Sequence, residues 1–356
     1  MNLLINADAR QIPLADGSVN CIVTSPPYYR LRDYQVDEQI GLEQTPQEYV
    51  DNLVQVFREC WRILRDDGTV WLNLGDSYAG NMSRASNNGR AGYGNPREGV
   101  FSRGGEGIKP KDLIGIPWMV AFALRADGWY LRQDIIWAKA CSGNIRKGSA
   151  MPESVTDRFQ KSHEYIFLLS KSPRYYFDNE AVKEKCVTPD DMQVAKRNKS
   201  EHKGQRDPGG RRQTTAGFDK INKVYEFGNR RSVWFVNPKP YKVAHFATYP
   251  PELIEPCILA GCPQQVCSKC GAPYKRVATI VGEQITESMR IAGCDNNGHY
   301  SGNTTKDYKS AKAQNASDTK RRILESMSKV KEYNWQPTCN CGAEPISGVV
   351  FDPFAG

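Results

Sequence analysis

The sequence has no apolar run that approaches the ~20 residues of a membrane span. It also has no basic leader ahead of its first apolar residues, 3–5, which we interpret as a short strand rather than as part of a signal peptide. We therefore expect a cytoplasmic protein with no membrane partner. At 356 residues, the chain is long enough for a sizeable core with one or two appended modules.

The cysteines do not form the regular spacing of a disulfide framework, although there are 11 of them. Cys21, Cys60 and Cys141 lie in apolar runs, which is typical of small core residues. Reduced thiols are the simpler interpretation for such a chain.

Two close pairs near the end of the sequence need a different explanation. Cys267 and Cys270 form a CxxC pair, Cys339 and Cys341 form a CxC pair, and each pair is followed by glycine. This pattern predicts two knuckles of a four-thiolate Zn²⁺ site. A polar stretch of 68 residues separates the pairs, and closing so long a loop has an entropic cost. Two incidental thiol clusters are the alternative.

The positive charge is concentrated in one segment. The net charge is +8, and residues 183–231 alone hold 13 Lys and Arg against 7 Asp and Glu. A basic, polar segment of this kind is typical of a phosphate-contacting surface, although a solvated insert has a similar composition. Residues 79–109 contain eight glycines and few apolar anchors, so we expect a flexible loop there, which either orders on a ligand or is a plain insert.

A proline-rich turn interrupts the first strongly apolar segment. Residues 19–23 predict a buried strand, and Ser25, Pro26, Pro27 and Tyr28 follow one residue later. Proline cannot continue a central strand, so the chain must leave the sheet here. The carboxyl end of a strand is where ligands bind in an open α/β sheet. A rigid loop with outward carbonyls, a hydroxyl and an aromatic face suits a flat group that carries an amine. A Pro-Pro turn with core tyrosines is the alternative.

These residues resemble the catalytic S/D-P-P-Y motif of the amino-group DNA methyltransferases, which act on N4 of cytosine or N6 of adenine. The resemblance extends to residues 6–14, 68–78, 128–139, 151–154 and 162–167, and to 245–250 and 351–356 near the end. The chain is thus similar to the permuted members of the family, in which the catalytic half precedes the cofactor half. The resemblance implies a Rossmann-like α/β methyltransferase fold with a mostly parallel sheet and, here, a small zinc-ribbon-like insertion.

The resemblance also assigns roles to residues. Ser25 and the Pro26 carbonyl would hold the target amine, within a corner stiffened by Pro27, and Tyr28 would stack on the base. S-adenosylmethionine would be held by eight residues of the matching segments: Asp8, His245, Phe246, Thr248, Asp352, Pro353, Phe354 and Gly356. In the family the last turn continues into a further loop, helix and strand, so we expect a fold incomplete at the C-terminus that binds S-adenosylmethionine poorly or not at all. The implied activity is therefore expected of the parent enzyme rather than of this truncated chain.

The same resemblance organises the chain. Residues 1–182 would form the catalytic half, 183–231 the target-recognition region, 232–262 the return to the cofactor half, 263–345 the zinc-ribbon-like insertion, and 346–356 the start of the cofactor motif.

The substrate would be double-stranded DNA, with a cognate restriction nuclease as a possible partner. Serine at the first motif position favours cytosine N4. The open alternatives are adenine N6, RNA or protein as the methyl acceptor, and a non-catalytic zinc-ribbon DNA-binding remnant.

Overall fold

The computed structural model describes residues 3–34, 36–79, 108–139, 154–185, 227–238, 249–281 and 330–355. The chain divides into two compact units, which are described separately: Met1–Gln264 with Ser347–Gly356, and Gln265–Ile346. Within the described ranges, none of the helices combines the length and apolar character needed to cross a bilayer.

The first unit begins with a β-α-β arrangement. Strand β1, Val19–Thr24, is buried along its whole length and ends immediately before the proline turn. Helix α1, Pro46–Ile63, starts with a capping box, in which Thr45 and Glu48 each accept the other's backbone N–H. Strand β2, Leu64–Leu74, then runs parallel to β1, as the helical crossover between them requires.

The remaining elements of this unit complete a sheet with helices. They are α2 (Ile116–Ala126), β3 (Tyr130–Ala138), β4 (His163–Ser170), a short 3₁₀ turn (Asn179–Val182), the small pair β5 (Glu184–Lys185) and β6 (Phe227–Gly228), β7 (Val233–Phe235), α3 (Pro251–Gly261) and β12 (Val350–Phe351).

Among the described residues, six strands form the central sheet, in the order β12-β1-β2-β4-β3-β7. Only β4 runs antiparallel to its neighbours, so the other five strands point the same way. The strand from the end of the chain lies beside β1, with Cys21 opposite Val350. The predicted Rossmann-like fold with a mostly parallel, permuted sheet is therefore confirmed.

Alternate residues of each central strand pack on opposite faces of the sheet, as the period of a strand dictates. On one face, Ile22, Leu72 and Phe167 pack with the apolar sides of α1 and α2. On the other face, Cys21 and Trp71 join a second cluster that includes the apolar side of α3. The result is a three-layer α/β unit. The ends of β1, β2 and β12 and the start of β4 lie at one edge of its sheet, called here the ligand edge because ligands bind at the carboxyl ends of strands in open α/β sheets.

The strand predicted at residues 3–5 is wrong. These residues have no strand hydrogen bonds, and the side chains of Leu3 and Leu4 are 71% and 82% exposed. An apolar triplet has the right composition for a strand, but a strand also needs a neighbour to pair with, and no described strand pairs with this segment.

The second unit is a small β structure. Strands β8 (Val266–Cys267) and β11 (Pro345–Ile346) form one antiparallel pair, and β9 (Tyr274–Val281) and β10 (Val330–Pro337) form another. Gly271 and Gly342 have φ values of +69° and +62°, and each directly follows a cysteine pair. Glycine adopts this backbone conformation without the cost that a Cβ would bring.

Candidate active site and cysteine cluster

The turn of residues 25–28, called here the proline corner, leaves the sheet directly after β1. Pro26 is buried and Ser25 is half-buried. From α1, the Tyr49 hydroxyl donates a 2.8 Å hydrogen bond to the Pro27 carbonyl. Because the prolines cannot donate ladder hydrogen bonds, this contact with the first helix holds the corner in place.

A hydrogen-bond network from three other parts of the sheet surrounds the corner. The Asn73 amide nitrogen, on β2, lies 2.8 Å from the Tyr28 hydroxyl and 3.3 Å from Ser25 Oγ. Tyr28 donates a 2.6 Å hydrogen bond to Oε2 of Glu164 on β4, and Lys139, just beyond β3, pairs with Oε1 of the same carboxylate. The family-like segments of the sequence contain Asn73, Lys139 and Glu164, but the resemblance assigned none of these three residues a role in the site.

The Tyr28 side chain is half-buried, and one edge of its ring lies against Gly75. A Cβ added at Gly75 would lie 2.6 Å from the Tyr28 ring, so only glycine leaves room for the ring there. Burial and the charge of Glu164 raise the pKa of Tyr28 well above its usual value, against a smaller lowering by a hydrogen bond from Ser25. The phenol therefore stays protonated and can donate to Glu164.

The turn after β12 meets the proline corner at the same sheet edge. The Asp352 carboxylate accepts hydrogen bonds from the Thr24 hydroxyl at 2.5 Å, the Tyr249 hydroxyl at 2.9 Å and the Phe354 backbone N–H at 2.9 Å. Since Thr24 immediately precedes Ser25, the first of these bonds joins two segments that lie 328 positions apart. The structure thus brings Ser25 and Asp352 to adjacent strand ends.

The surroundings of Asp352 predict a pH dependence of stability. Burial raises its pKa, although the hydrogen bonds from Thr24, Phe354 and Tyr249 lower it. In the unfolded chain this carboxyl has a pKa of about 4, so in the folded protein the Asp352 carboxyl keeps its proton to a higher pH. The contribution of Asp352 to the free energy of unfolding therefore falls as the pH rises through the folded-state pKa.

We expect Asp352→Asn to remove this contribution, so that the stability of the variant relative to the unmodified protein increases with pH above about pH 4. Urea unfolding of both proteins across a pH series measures the difference. If the two free energies of unfolding run parallel across the series, the raised pKa is contradicted.

The structure describes three of the other predicted cofactor residues and leaves four outside its described ranges. Pro353 and Phe354 lie in the turn after β12 and are half-buried. Asp8 forms a 2.9 Å ion pair with Arg10, which lowers the Asp8 pKa, and no described contact links it to the proline corner. His245, Phe246, Thr248 and Gly356 lie outside the described residues, as do most of the predicted flexible loop (79–109) and most of the basic segment (183–231).

Asp76 lies at the ligand edge of β2 but has a structural partner. Its Oδ1 accepts hydrogen bonds from the backbone N–H groups of Ser77, Gly115 and Ile116, at 2.9–3.2 Å. Gly115 is the N-cap residue of α2 and has no side chain to cap the helix. Asp76 supplies that cap from another segment.

The second unit brings the four predicted metal ligands together. The sulfur atoms of Cys267, Cys270, Cys339 and Cys341 all lie within 4.8 Å of one another. Tetrahedral Zn²⁺ with Zn–S bonds of about 2.3 Å needs sulfur atoms about 3.8 Å apart. The backbone N–H groups of Cys270 and Lys269 lower the pKa of Cys267 to about 6, whereas hydrogen bonds with the neighbouring thiols Cys270 and Cys339 raise the pKa of Cys341. The donor set therefore fits a zinc ion.

Comparisons with known proteins agree with the geometry of the first unit. The family model described as DNA methylase matches residues 19–266. The Type II methyltransferase M.Cfr9I of Citrobacter freundii is 47% identical over 251 residues, covering 70% of this chain and 68% of that protein. The Type II methyltransferase M.SmaI of Serratia marcescens is 42% identical over 266 residues, covering 72% and 74%.

Among solved structures, the PvuII DNA methyltransferase (cytosine-N4-specific) is 14% identical, covers 72% of this chain and 68% of that one, and has a TM-score of 0.40. The family model spans well over half of the sequence and includes β1, the proline corner, Asn73 and Glu164. The chain belongs to the DNA methylase family of N6- and N4-amino methyltransferases.

Proposed function

We propose that this protein is a site-specific DNA methyltransferase that methylates the exocyclic N4 amine of cytosine. One observation carries the proposal: the 2.5 Å hydrogen bond between Thr24 and Asp352. Because of this bond, Ser25, which we propose as the amine site, lies beside residues 352–354, which we propose as the cofactor turn. Methyl transfer needs the acceptor and the donor to meet in one cleft.

When bound, S-adenosylmethionine would supply the methyl group of its sulfonium. The target amine is inaccessible inside a duplex, so the cytosine must be flipped out of the stack, at a cost of about a few kcal/mol. Ser25 Oγ and the Pro26 carbonyl would accept the amine hydrogens and orient its lone pair toward the methyl carbon. The Pro27 carbonyl already accepts a hydrogen bond from the Tyr49 hydroxyl. The amine would gain the N–C bond as the S–C bond of the sulfonium breaks to leave a neutral thioether, and it would release one proton to solvent.

Tyr28 would stack on the flipped base. The bonds of its hydroxyl to Glu164 and Asn73 hold the ring at a fixed angle, which reduces the entropy lost when the base arrives. On the cofactor side, Asp352 shapes the turn, with Pro353 and Phe354 as its neighbours. We also assign the cofactor to Asp8, His245, Phe246, Thr248 and Gly356, on the strength of the family motifs.

A cysteine nucleophile has no place in this mechanism. The cytosine-carbon methyltransferases use the cysteine of a Pro-Cys dipeptide, and this chain contains one, Pro256–Cys257. Cys257, however, is 1% exposed within α3, and burial raises the pKa of its thiol. A buried neutral thiol is a poor nucleophile, so direct transfer to the amine is the better-supported chemistry.

The choice of cytosine rests on serine at the first position of the motif, which is more typical of the N4 enzymes, whereas aspartate is found in many N6-adenine enzymes. Both relatives described above are named Type II methyltransferases. We therefore infer a restriction-modification setting with a cognate nuclease. Residues 183–231, with 13 Lys and Arg against 7 Asp and Glu, would contact the phosphates of double-stranded DNA around the target.

We further propose that the four cysteines hold one structural Zn²⁺. All four protein ligands are thiolates, which leaves no open position for a reacting water. The ion would therefore support the fold of Gln265–Ile346 and take no part in methyl transfer.

Incubation with labelled S-adenosylmethionine and double-stranded DNA, followed by nucleoside analysis, tests the function. We expect label in N4-methylcytosine. Label in N6-methyladenine would support the adenine alternative instead. Label in RNA or protein alone would overturn the DNA proposal, and DNA binding without any transfer would support a non-catalytic remnant.

A further inference from the structure

Glu164 uses both of its carboxylate oxygens on groups around the proline corner. Its side chain is 13% exposed. Oε1 pairs with Lys139, while Oε2 accepts hydrogen bonds from Tyr28 at 2.6 Å and from the Asn73 amide at 3.2 Å. The geometry points to Glu164 as a positioning residue: it orients the hydrogen bonds of Tyr28 and Asn73 so that Ser25 Oγ is left as an acceptor for the target amine. This inference rests on the proposed function.

The direction of each bond follows from counting hydrogens. A carboxylate can only accept, so the single O–H hydrogen of Tyr28 must point to Glu164. The Tyr28 oxygen can then only accept from its other neighbours. The Asn73 amide lies 2.8 Å away, and the Ser25 hydroxyl is close enough to lower the Tyr28 pKa. When the Ser25 hydrogen points toward Tyr28, a lone pair of Ser25 Oγ is free to receive an amine hydrogen.

Asn73 obeys the same constraint. Its amide nitrogen faces three oxygen atoms, those of Tyr28, Glu164 and Ser25, at 2.8–3.3 Å. Its carbonyl oxygen, by contrast, is buried and receives no donor from the described part of the chain. An unsatisfied buried carbonyl costs free energy, so this orientation is maintained by the acceptors that share the two N–H hydrogens on the other side of the amide.

Lys139 fixes the carboxylate itself. It lies just beyond β3, two residues after Trp137, which strand pairing places directly opposite Glu164. Its ammonium group lies 4.4 Å from the centre of the Trp137 ring, and the Trp137 indole donates a 2.8 Å hydrogen bond to the Val236 carbonyl. The ion pair is therefore anchored to the sheet and not to a loop.

A glutamine at position 164 would have nearly the same shape as the glutamate, but its NH2 group could donate hydrogen bonds. Its N–H could then donate to the Tyr28 oxygen, and the Tyr28 hydrogen would turn toward Ser25 and occupy the lone pair needed by the amine. We expect Glu164→Gln to lower kcat by about 100-fold, with the KM values for DNA and for S-adenosylmethionine nearly unchanged. Glu59→Gln is the matched control, because Glu59 also forms an ion pair, with Arg62 at 2.8 Å, but lies away from the corner.

A double-mutant cycle separates this role from simple packing. Without the Tyr28 hydroxyl there is no bond direction to set, so Glu164→Gln should cost little more in a Tyr28→Phe background. The double variant should lie within about twofold of the slower single variant. Multiplicative effects of the two substitutions, or a Glu164→Gln variant with a normal kcat, would overturn the inference.

A second readout does not depend on activity. Loss of the Glu164 charge should lower the pKa of Tyr28, measured by NMR of labelled tyrosine with Tyr28→Phe to assign the signal. An unchanged Tyr28 titration would contradict the contact itself. If the unmodified protein transfers no methyl to DNA, the proposed function fails, and the titration still decides whether Glu164 controls Tyr28.

Discussion

Ser25→Ala is expected to lower kcat for DNA methylation by at least about 100-fold, the usual cost of removing one preorganised hydrogen-bonding group from an active site. The substitution removes the hydroxyl that would accept the amine hydrogen but leaves the proline corner intact. Pro27 remains bonded to Tyr49, and Asp352 remains bonded to Thr24. The affinity for DNA should change little, because phosphate contacts supply most of it.

The measurement combines single-turnover transfer of labelled methyl with DNA binding at a fixed salt concentration. Ser18→Ala is a suitable control, since Ser18 is an exposed serine that precedes β1 and donates only to the nearby Ala15 carbonyl. Transfer at the normal rate by Ser25→Ala would remove Ser25 from the mechanism. A parallel loss of DNA affinity would indicate that the corner has unfolded.

The proline corner could be found from sequence because its signal is local. A run of buried residues ends where proline begins, and proline has no N–H for the ladder. The signal of α1 is local in the same way, because its capping box involves only Thr45 and Glu48. Signals that span three or four residues survive folding when no distant contact opposes them.

The network around Ser25 could not be found in this way. Asn73, Lys139 and Glu164 lie on or beside three strands whose sequences are typical of any sheet, and they meet only because β4 lies between β2 and β3. The role of Asp76 could not be found from sequence either, since it caps a helix that begins 40 positions later. Residues 3–5 fail for the opposite reason: their local signal is that of a strand, but no described strand pairs with them.

Removal of zinc is expected to have the second large effect, on the unit Gln265–Ile346. One of its two described strand pairs is very short, since β8 and β11 have only two residues each, while β9 and β10 have eight. So small a β structure rarely holds together on apolar burial alone. Zinc bound by four thiolates contributes an apparent ~10–16 kcal/mol in small zinc domains. We therefore expect about one zinc ion per chain, and cleavage within residues 265–346 by proteases once a strong chelator removes it.

Cys270→Ser tests the same point without a chelator. Cys270 is exposed, so serine disturbs no packing there, yet it removes one of four ligands and should abolish stoichiometric zinc binding. Cys262→Ser removes a thiol outside the cluster and should keep both the zinc and the protease resistance. Metal analysis and limited proteolysis measure the two effects. If the unmodified protein holds no zinc and chelation leaves the cleavage pattern unchanged, the thiols cluster for a reason other than metal binding, and the unit must be stabilised by its strand pairs alone.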